Sequence, residues 1–334
     1  MSNIGRIAKR ENVERRAGKT GRLFRRVLKL LLLMIVIVAG IGASLFSYYY
    51  CSSRTFKDTV SVLLSGAEVP EKAFPGRTEV NILLMGRDLD RDRCGRVVNT
   101  HGRTDAMMLA HIDFRKRSAD ILSIPRDTLV RIPGYRGKRR ISYANALGGP
   151  ELARRTISEF LGVYPDHYLL VNFDGFEKAI DDLGGLAVTV GKRLDYDDSW
   201  GNLHIHLKAG KRVLNGEQCM GFVRYRQSNN GEGESDFVRI GRQQEFLRAA
   251  RAKLSSPGVM FRLPEVLDTI REDIEGNLTL PQVICLARFI KALPPGSEIR
   301  METLPALDGG GVFVRADLHA TRELLRQMFF DNQR

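Results

Sequence analysis

The chain is poor in the residues that announce covalent or metal chemistry. Its four cysteines (Cys51, Cys94, Cys219, Cys285) form neither a CxxC pair nor a disulfide framework, which points to free thiols, Cys219 and Cys285 in buried helical stretches. The six histidines are scattered. His204 and His206 share one face of a short strand, which a surface strand explains without a metal, so no zinc site is argued. No Ser or Cys stands out as a covalent nucleophile, and no internal repeat or low-complexity tract appears. Charge is missing too, over one stretch: Leu30 to Ser53 holds no Asp, Glu, Lys or Arg.

That uncharged stretch follows a basic tail. Residues 1–29 carry ten Lys/Arg against two acids, which is +8 of the net +13 and leaves +5 for the remainder. The excess is therefore a local feature, and no recognition motif accompanies it, so nucleic acid is not expected as a partner. Roughly 20 apolar residues at about 1.5 Å rise cross a bilayer core. Tyr48, Tyr49 and Tyr50 close the run as interfacial aromatics do. The run is long for a signal peptide, and Tyr48-Tyr49-Tyr50-Cys51 is a poor cleavage site. The sequence thus predicts a cytoplasmic tail (1–29), a single uncleaved transmembrane helix (30–50) and a juxtamembrane stalk (51–77). An extracytoplasmic domain (78–334) follows, anchored to the cell membrane.

Within that domain the apolar patterning alternates between strand and helix. Val80–Met85, Ala106–Phe114 and Ser118–Ile124 read as strands, the last two joined by a charged turn at Arg115-Lys116-Arg117. Gly149-Pro150 opens a helix through Leu161, with Leu152, Ile157, Phe160 and Leu161 at helical spacing. Tyr168–Phe173 reads as a strand, Asp174–Leu183 as a helix ended by Gly184-Gly185, and Leu186–Val190 as the next strand. Helices are expected from Asn215, over Arg239–Lys253, Val259–Glu272 and Leu280–Leu293, and from Leu318, with a strand at Ile299–Leu304. The alternation predicts an α/β fold, a layered α-β-α domain with a central mixed β-sheet. Residues 255–334 form its helical C-terminal part.

The most informative feature is where Arg and Asp fall. Apolar runs end in, or are preceded by, paired opposite charges at Arg87-Asp88, Arg103-Thr104-Asp105 and Arg126-Asp127. Arginines grip phosphate bidentately and aspartates hold divalent metal, so together they suggest a pyrophosphate site. Asp88 follows Gly86 at a strand end, and Asp105 precedes a strand. If those strands are neighbours, the two carboxylates meet at one edge, enough for Mg²⁺ beside substrate phosphates. Turn-capping aspartates are the plainer explanation for either alone. Arg126 is open between a phosphate contact and an ion pair with Asp127. Arg224 and Arg226 flank Tyr225; in an extended segment they share a face as a two-pronged clamp, and in a helix they diverge. Arg239, Arg242 and Gln243 share a face near the start of a helix, with Asp236 just before them.

In this order, the motifs Gly86-Arg87-Asp88, Arg103-Thr104-Asp105 and Ser123-Ile124-Pro125-Arg126-Asp127 begin a pattern. Asn172-Phe173-Asp174-Gly175-Phe176, Asp181 to Gly185, Asn215 to Gln218, Arg224-Tyr225-Arg226 and Arg239 to Gln244 continue it. The set resembles the LytR–CpsA–Psr family from about 80 to 254. The resemblance implies an envelope phosphotransferase. Such an enzyme moves a glycopolymer from a polyprenyl-pyrophosphate carrier to a peptidoglycan sugar hydroxyl, with polyprenyl phosphate released. By the same resemblance Asp88 and Asp105 are the Mg²⁺ pair, and Arg103, Arg126, Arg224, Arg226, Arg239 and Gln243 surround the pyrophosphate, with Arg87 a further contact. Asp236 either tethers an arginine or assists proton removal from the acceptor. It also implies a lipid-binding cleft between helices and sheet whose lining the sequence does not identify. The chain departs from the pattern at Arg87, where a small residue is usual, in the long 89–102 segment, at Ser142 and in the 228–235 loop. Two rivals remain: a polyprenyl-pyrophosphate phosphatase, which needs the same residues with water as the attacking group, and a non-catalytic membrane-bound attenuator, which needs no metal pair.

Overall fold

The computed structural model describes residues 34, 37–91, 97–198, 203–226, 228–229, 234, 236–256, 258–259, 262–293, 299–307 and 313–330. It divides into two units, residues 1–57 and 58–334. The first unit contains a helix (α1, 37–52) with Ile37, Val38, Ile41, Leu45 and Phe46 exposed. The predicted span 30–50 falls partly outside the described residues. Among the described residues, no helix is long and apolar enough to cross a membrane.

The helices that follow are α2 (Arg54–Ser65), α3 (Pro70–Ala73), α4 (Tyr143–Leu161), α5 (Phe173–Asp182), α6 (Gly216–Arg224), α7 (Asp236–Leu254), α8 (Leu263–Asp273), α9 (Leu280–Ala292) and α10 (Leu318–Leu325). The main sheet is built from β1 (Glu79–Arg91), β2 (Val97–Asp113), β3 (Ser118–Ser123), β6 (His167–Val171), β11 (Ile274–Gly276) and β12 (Arg300–Thr303). Four two-stranded pairs complete the set: β4 (Leu129–Arg131) with β5 (Lys138–Arg140), β7 (Leu186–Val190) with β10 (Gly210–Leu214), β8 (Leu194–Asp198) with β9 (Leu203–Leu207), and β13 (Ala306–Leu307) with β14 (Arg315–Ala316).

The main sheet runs in the order β11-β6-β1-β2-β3-β12. β1 pairs antiparallel with β2 and parallel with β6, and β12 joins β3 in parallel, so the sheet is mixed as expected. Both faces are covered, which is why β1 reads as a continuous apolar run. Leu83 and Met85 pack on one face with Leu152 and Ile157 of α4 and Leu325 of α10. Val80 and Ile82 pack on the other with Phe74, and with Cys285 and Leu286 of α9. A separate core gathers α5, α6, α7 and α8 on the β7–β10 and β8–β9 ribbons, around Leu186, Val188, Phe222 and Tyr225.

Local chemistry sets several boundaries. The predicted opening at Gly149-Pro150 is a kink inside α4, where Gly148 and Gly149 leave helical geometry and Gly149 has φ 68°. A turn of helix from Tyr143 precedes it. α5 begins where the Asn172 side chain accepts from the Gly175 amide at 2.7 Å, and α6 begins with a capping box between Asn215 and Gln218. Cys219 and Cys285 are buried free thiols, and burial pushes Cys219 up to about 12 and Cys285 up to about 11. Cys94 lies outside the described residues.

Candidate functional site

One end of β1 and β2 opens into a cleft of about 560 Å³. The sequence-predicted Asp105, Arg126, Arg224, Arg226, Arg239 and Gln243 all line it. They come from β2, the turn after β3, the end of α6 and the first turns of α7, segments far apart in the chain. The rest of the lining is largely apolar, including Leu84, Met108, Leu169, Phe176, Val223 and Phe246. Residues of the main sheet and of the second core thus share one concave surface.

Asp105 reaches the cleft through a β-bulge. In the β1–β2 register Gly86 faces Ala106 while Arg87 faces Thr104, so Asp105 is the extra residue. Strict alternation puts it on the face of Met107, which is buried in the core beneath α4. The bulge turns it instead to the side of Ala106 and Met108, both of which line the cleft. There its carboxylate forms an ion pair and hydrogen bond with Arg126 Nη1. Arg126 also stands 3.7 Å from Asp127, and Arg140 stands 3.2 Å from the same carboxylate. Arg126 is therefore paired, and it also lines the cleft. Gly86 has no side chain to fill the cleft, and a Cβ there would meet only Ala106, at 3.5 Å.

Arg224 is the last residue of α6, and Tyr225 breaks the helix with φ −51° and ψ 132°. The extended step buries Tyr225 in the second core and leaves arginines on either side of it lining the cleft. The Arg224 guanidinium lies over the Phe173 ring, 4.1 Å from its centroid. Arg239 and Gln243, one helical turn apart in α7, are 4% and 8% exposed, so their polar heads meet the cleft and little solvent.

Arg242 has a different task. Its Nε donates to the Phe222 carbonyl at 3.0 Å, its Nη2 to the Tyr225 carbonyl, and its Nη1 pairs with Glu234 at 2.5 Å. It ties α7 to the exposed carbonyls at the end of α6, the ones a helix C-terminus leaves unmatched. Burial works to raise the Glu234 carboxyl, but hydrogen bonds from Lys192 and Arg242 outweigh it and hold the group below its ordinary range.

Arg87 and Arg103 are not among the cleft-lining residues. Arg87 pairs with Glu275 of β11 at 3.0 Å, and Arg103 lies over the Tyr143 ring, 5.8 Å from its centroid. The side chains of Asp88 and Asp236 lie outside the described residues. Their backbones are placed: Asp88 pairs with Arg103, two residues from the bulge at Asp105, and Asp236 begins α7. His204 and His206 project from β9 toward Asp197 and Asp195 of β8, each at 2.7 Å, on an exposed ribbon face. The apolar lining was invisible to sequence reasoning, because Leu169, Val223 and Phe246 read as ordinary core residues at strand or helix spacing.

These features define a layered α/β protein with an apolar cleft that four arginines help to line. Residues 47–320 match the model of the LytR_cpsA_psr family, and the chain belongs to that family. Regulatory protein MsrR of Staphylococcus aureus (strain COL) is 34% identical over 200 residues, 60% of this chain. The match spans 57% of MsrR, little more than half of that relative's length. The polyisoprenyl-teichoic acid–peptidoglycan teichoic acid transferase TagT of Bacillus subtilis (strain 168) is 28% identical over 89% of this chain and 91% of TagT. Among solved structures, B. subtilis TagV superposes with a TM-score of 0.63 at 26% identity, over 77% of this chain and 99% of that one. TagT bound to LI-WTA superposes at 0.59 and 28% identity, over 76% and 90%.

Proposed function

We propose that this protein is a phosphotransferase that moves a glycopolymer from a polyprenyl-pyrophosphate carrier to a sugar hydroxyl of peptidoglycan. The observation that carries the reading is the composition of one cleft: Arg126, Arg224, Arg226 and Arg239 stand on the same concave surface as the apolar lining of Leu84, Phe176, Val223 and Phe246. A polyprenyl pyrophosphate has this division between a dianionic head and a hydrocarbon tail. Each methylene of the tail moved from water into the cleft contributes roughly 0.8 kcal/mol. Names among the relatives, teichoic acid transferases in B. subtilis, support the same class.

The acceptor hydroxyl attacks the phosphorus that carries the glycan. A new P–O bond forms, the bond to the bridging oxygen breaks, and polyprenyl phosphate leaves with that bond's electron pair. Arg126, Arg224, Arg226 and Arg239 neutralise the charge that collects on the equatorial and leaving oxygens, and Gln243 supplies an amide donor beside them. The hydroxyl proton needs only a weak carboxylate base, a role open to Asp105 and to Asp236 at the start of α7. The apolar lining excludes water from the carrier end, which favours a sugar hydroxyl over hydrolysis.

Magnesium suits the donor set. The ion takes one or two carboxylates and completes its shell with water and phosphate oxygens. Among the described residues no group of three His, Cys, Asp or Glu gathers. Asp105 in the cleft, with Asp88 on the neighbouring strand, would hold it, and the ion would neutralise pyrophosphate charge. For topology, the basic tail and the apolar run that ends in exposed Ile37, Ile41, Leu45 and Phe46 support an N-terminal anchor with the catalytic unit outside the cell membrane.

The test is transfer itself. Full-length protein in detergent, a polyprenyl-pyrophosphate glycan, uncrosslinked peptidoglycan and Mg²⁺ should yield a covalent glycan–peptidoglycan product. Release of the glycan to water with no transfer would point to a phosphatase, and no turnover of the donor would leave the attenuator reading standing.

A further inference from the structure

A second concave surface lies away from the cleft. It is a groove of about 810 Å³ between the β4–β5 hairpin, the end of α4, β14 and α10. Four cations line it: Arg131 and Lys138 from the hairpin, Arg315 from β14 and Arg322 from α10, against the single acid Glu159. All five are exposed. None of the four cations has an ion-pair partner among the described residues.

The charge is arranged at a cost to the fold. Arg131 and Lys138 face each other directly across the antiparallel pair, where like charges destabilise. Arg139 and Arg140 follow Lys138, opposite Val130 and Leu129, and exposed Arg136 precedes it. From Ile132 to Ser142 the sequence contains no acid. The base of the hairpin is wired to the cleft: Arg140 stands 3.2 Å from Asp127, which stands 3.7 Å from Arg126. The strand of the groove is tied to the same place, since Leu129 donates to the Val314 carbonyl at 2.9 Å and Val314 to that of Asp127 at 3.0 Å. The base of the hairpin therefore reaches the cleft through the ion pairs of Arg140, Asp127 and Arg126, and the cations without an ion pair among the described residues lie in the groove. Beyond the turn at Arg126 and Asp127, the extended stretch from Thr128 to Arg131 adds on the order of 10 Å.

A lone phosphate is satisfied by two or three adjacent donors. Cations spread along an extended strip match a ligand whose negative charges repeat along its length. We propose that the groove binds the anionic glycopolymer itself, a chain bearing phosphate or carboxylate at regular intervals, and holds the part that runs away from the pyrophosphate. The proposal rests on the transferase reading for the polymer's identity, and adds where its chain lies. An anionic bilayer is the rival partner for a basic surface. The concave shape, floored by buried Leu161 and Leu325, and the ion pairs that join the hairpin's base to Arg126 favour a threaded polymer.

Binding separates this proposal from the transferase reading. Full-length protein in neutral detergent, its cleft filled with geranylgeranyl pyrophosphate, is titrated with fluorescent long-chain inorganic polyphosphate, and with dextran as a neutral chain. Wild type should bind polyphosphate with an affinity that falls steeply with salt, and should ignore dextran. Combined Arg131→Gln, Lys138→Gln, Arg315→Gln and Arg322→Gln should weaken binding about 10-fold or more and flatten the salt slope. Glu159→Gln should tighten binding about twofold, a gain that misfolding does not produce. Unchanged affinity in both variants, or binding to phosphatidylglycerol vesicles in place of polyphosphate, overturns the proposal. Loss of polyphosphate binding in a protein that transfers nothing would keep the groove and remove the transferase reading. Wild-type transfer and wild-type polyphosphate binding by the groove variant would do the reverse.

Discussion

Asp105 reaches Arg126 only because β2 carries one residue more than β1 between Met107 and Thr104. The bulge sets the carboxylate on the cleft side and aims it at the guanidinium. Neither residue is then an independent contact. Arg126→Ala and Asp105→Ala should each lower glycan transfer about 100-fold or more, in line with removal of one preorganised charge donor. Their combination should cost much less than the product of the two, since both act through one pair. Single-turnover transfer with the three variants measures this. Wild-type rates in either single variant would place the chemistry elsewhere.

Arg242 shares a helix face with Arg239 in sequence, yet it serves the fold. Its guanidinium is only 11% exposed and satisfies two carbonyls at the end of α6 besides pairing with Glu234. Arg242→Gln should destabilise the protein by about 1.5–3 kcal/mol, the range for hydrogen bonds to a charged group. Urea unfolding checks the magnitude. Because the same carbonyls fix the break that places Arg226, the KM for the lipid donor should rise in parallel. A loss of rate with undiminished stability would make Arg242 a ligand contact.

The contrast marks how far the sequence can be read. Arg126, Arg224, Arg239 and Gln243 were conspicuous because charge at the end of an apolar run is locally visible, and the cleft brings all four together. Arg87, equally conspicuous, pairs with Glu275 across 188 positions of chain, a partner no local pattern reveals. Strand content along β1, β3 and β7 was legible from alternation and β-branched runs. Sheet order was not: β12 joins β3, and β11 joins β6, through pairings separated by more than a hundred residues. The 89–102 segment, a departure from the family pattern in its length, continues the β1–β2 ladder, with Asp90 opposite Asn99. Its polar composition lacks the apolar alternation that marks a strand in sequence.

Gly216 follows Asn215 in the Asn-Gly-x-Gln motif, and the structure supplies its reason. A Cβ at that position would lie 2.2 Å from the Glu177 carbonyl oxygen of α5, a backbone atom that cannot rotate away. Gly216→Ala must therefore push α6 off α5. Overpacking of this kind costs about 1–3 kcal/mol. The displaced helix carries Arg224, so transfer should fall further than stability alone explains. Thermal melts paired with donor KM test both halves. An unshifted melting temperature would mean that the two helices yield more easily than their packing indicates.

His111 gives the stability a pH dependence of known sign. It is 1% exposed in β2, its Nδ1 donates to the Asn81 amide oxygen at 2.9 Å, and its ring packs 5.1 Å from that of Phe329. Burial lowers its pKa below 6.5, outweighing the carboxylates of Glu79 and Asp113, and His167 is lowered for the same leading reason. In the unfolded chain both titrate near 6.5, so below that pH the unfolded state binds more protons than the folded one. The stabilisation of the neutral rings is whole above pH 6.5 and is lost progressively as pH falls toward the folded pKa values. His206 runs the other way: its hydrogen bond to Asp195 raises its pKa, and that contribution fades as pH rises. His111→Gln keeps an amide donor for Asn81 but cannot take up the proton. Urea midpoints followed from about pH 8 to about pH 5 should fall less steeply in the variant than in wild type. Equal slopes would show that the imidazole takes up its proton as readily in the folded state as in the unfolded chain, and would leave His167 to carry the effect.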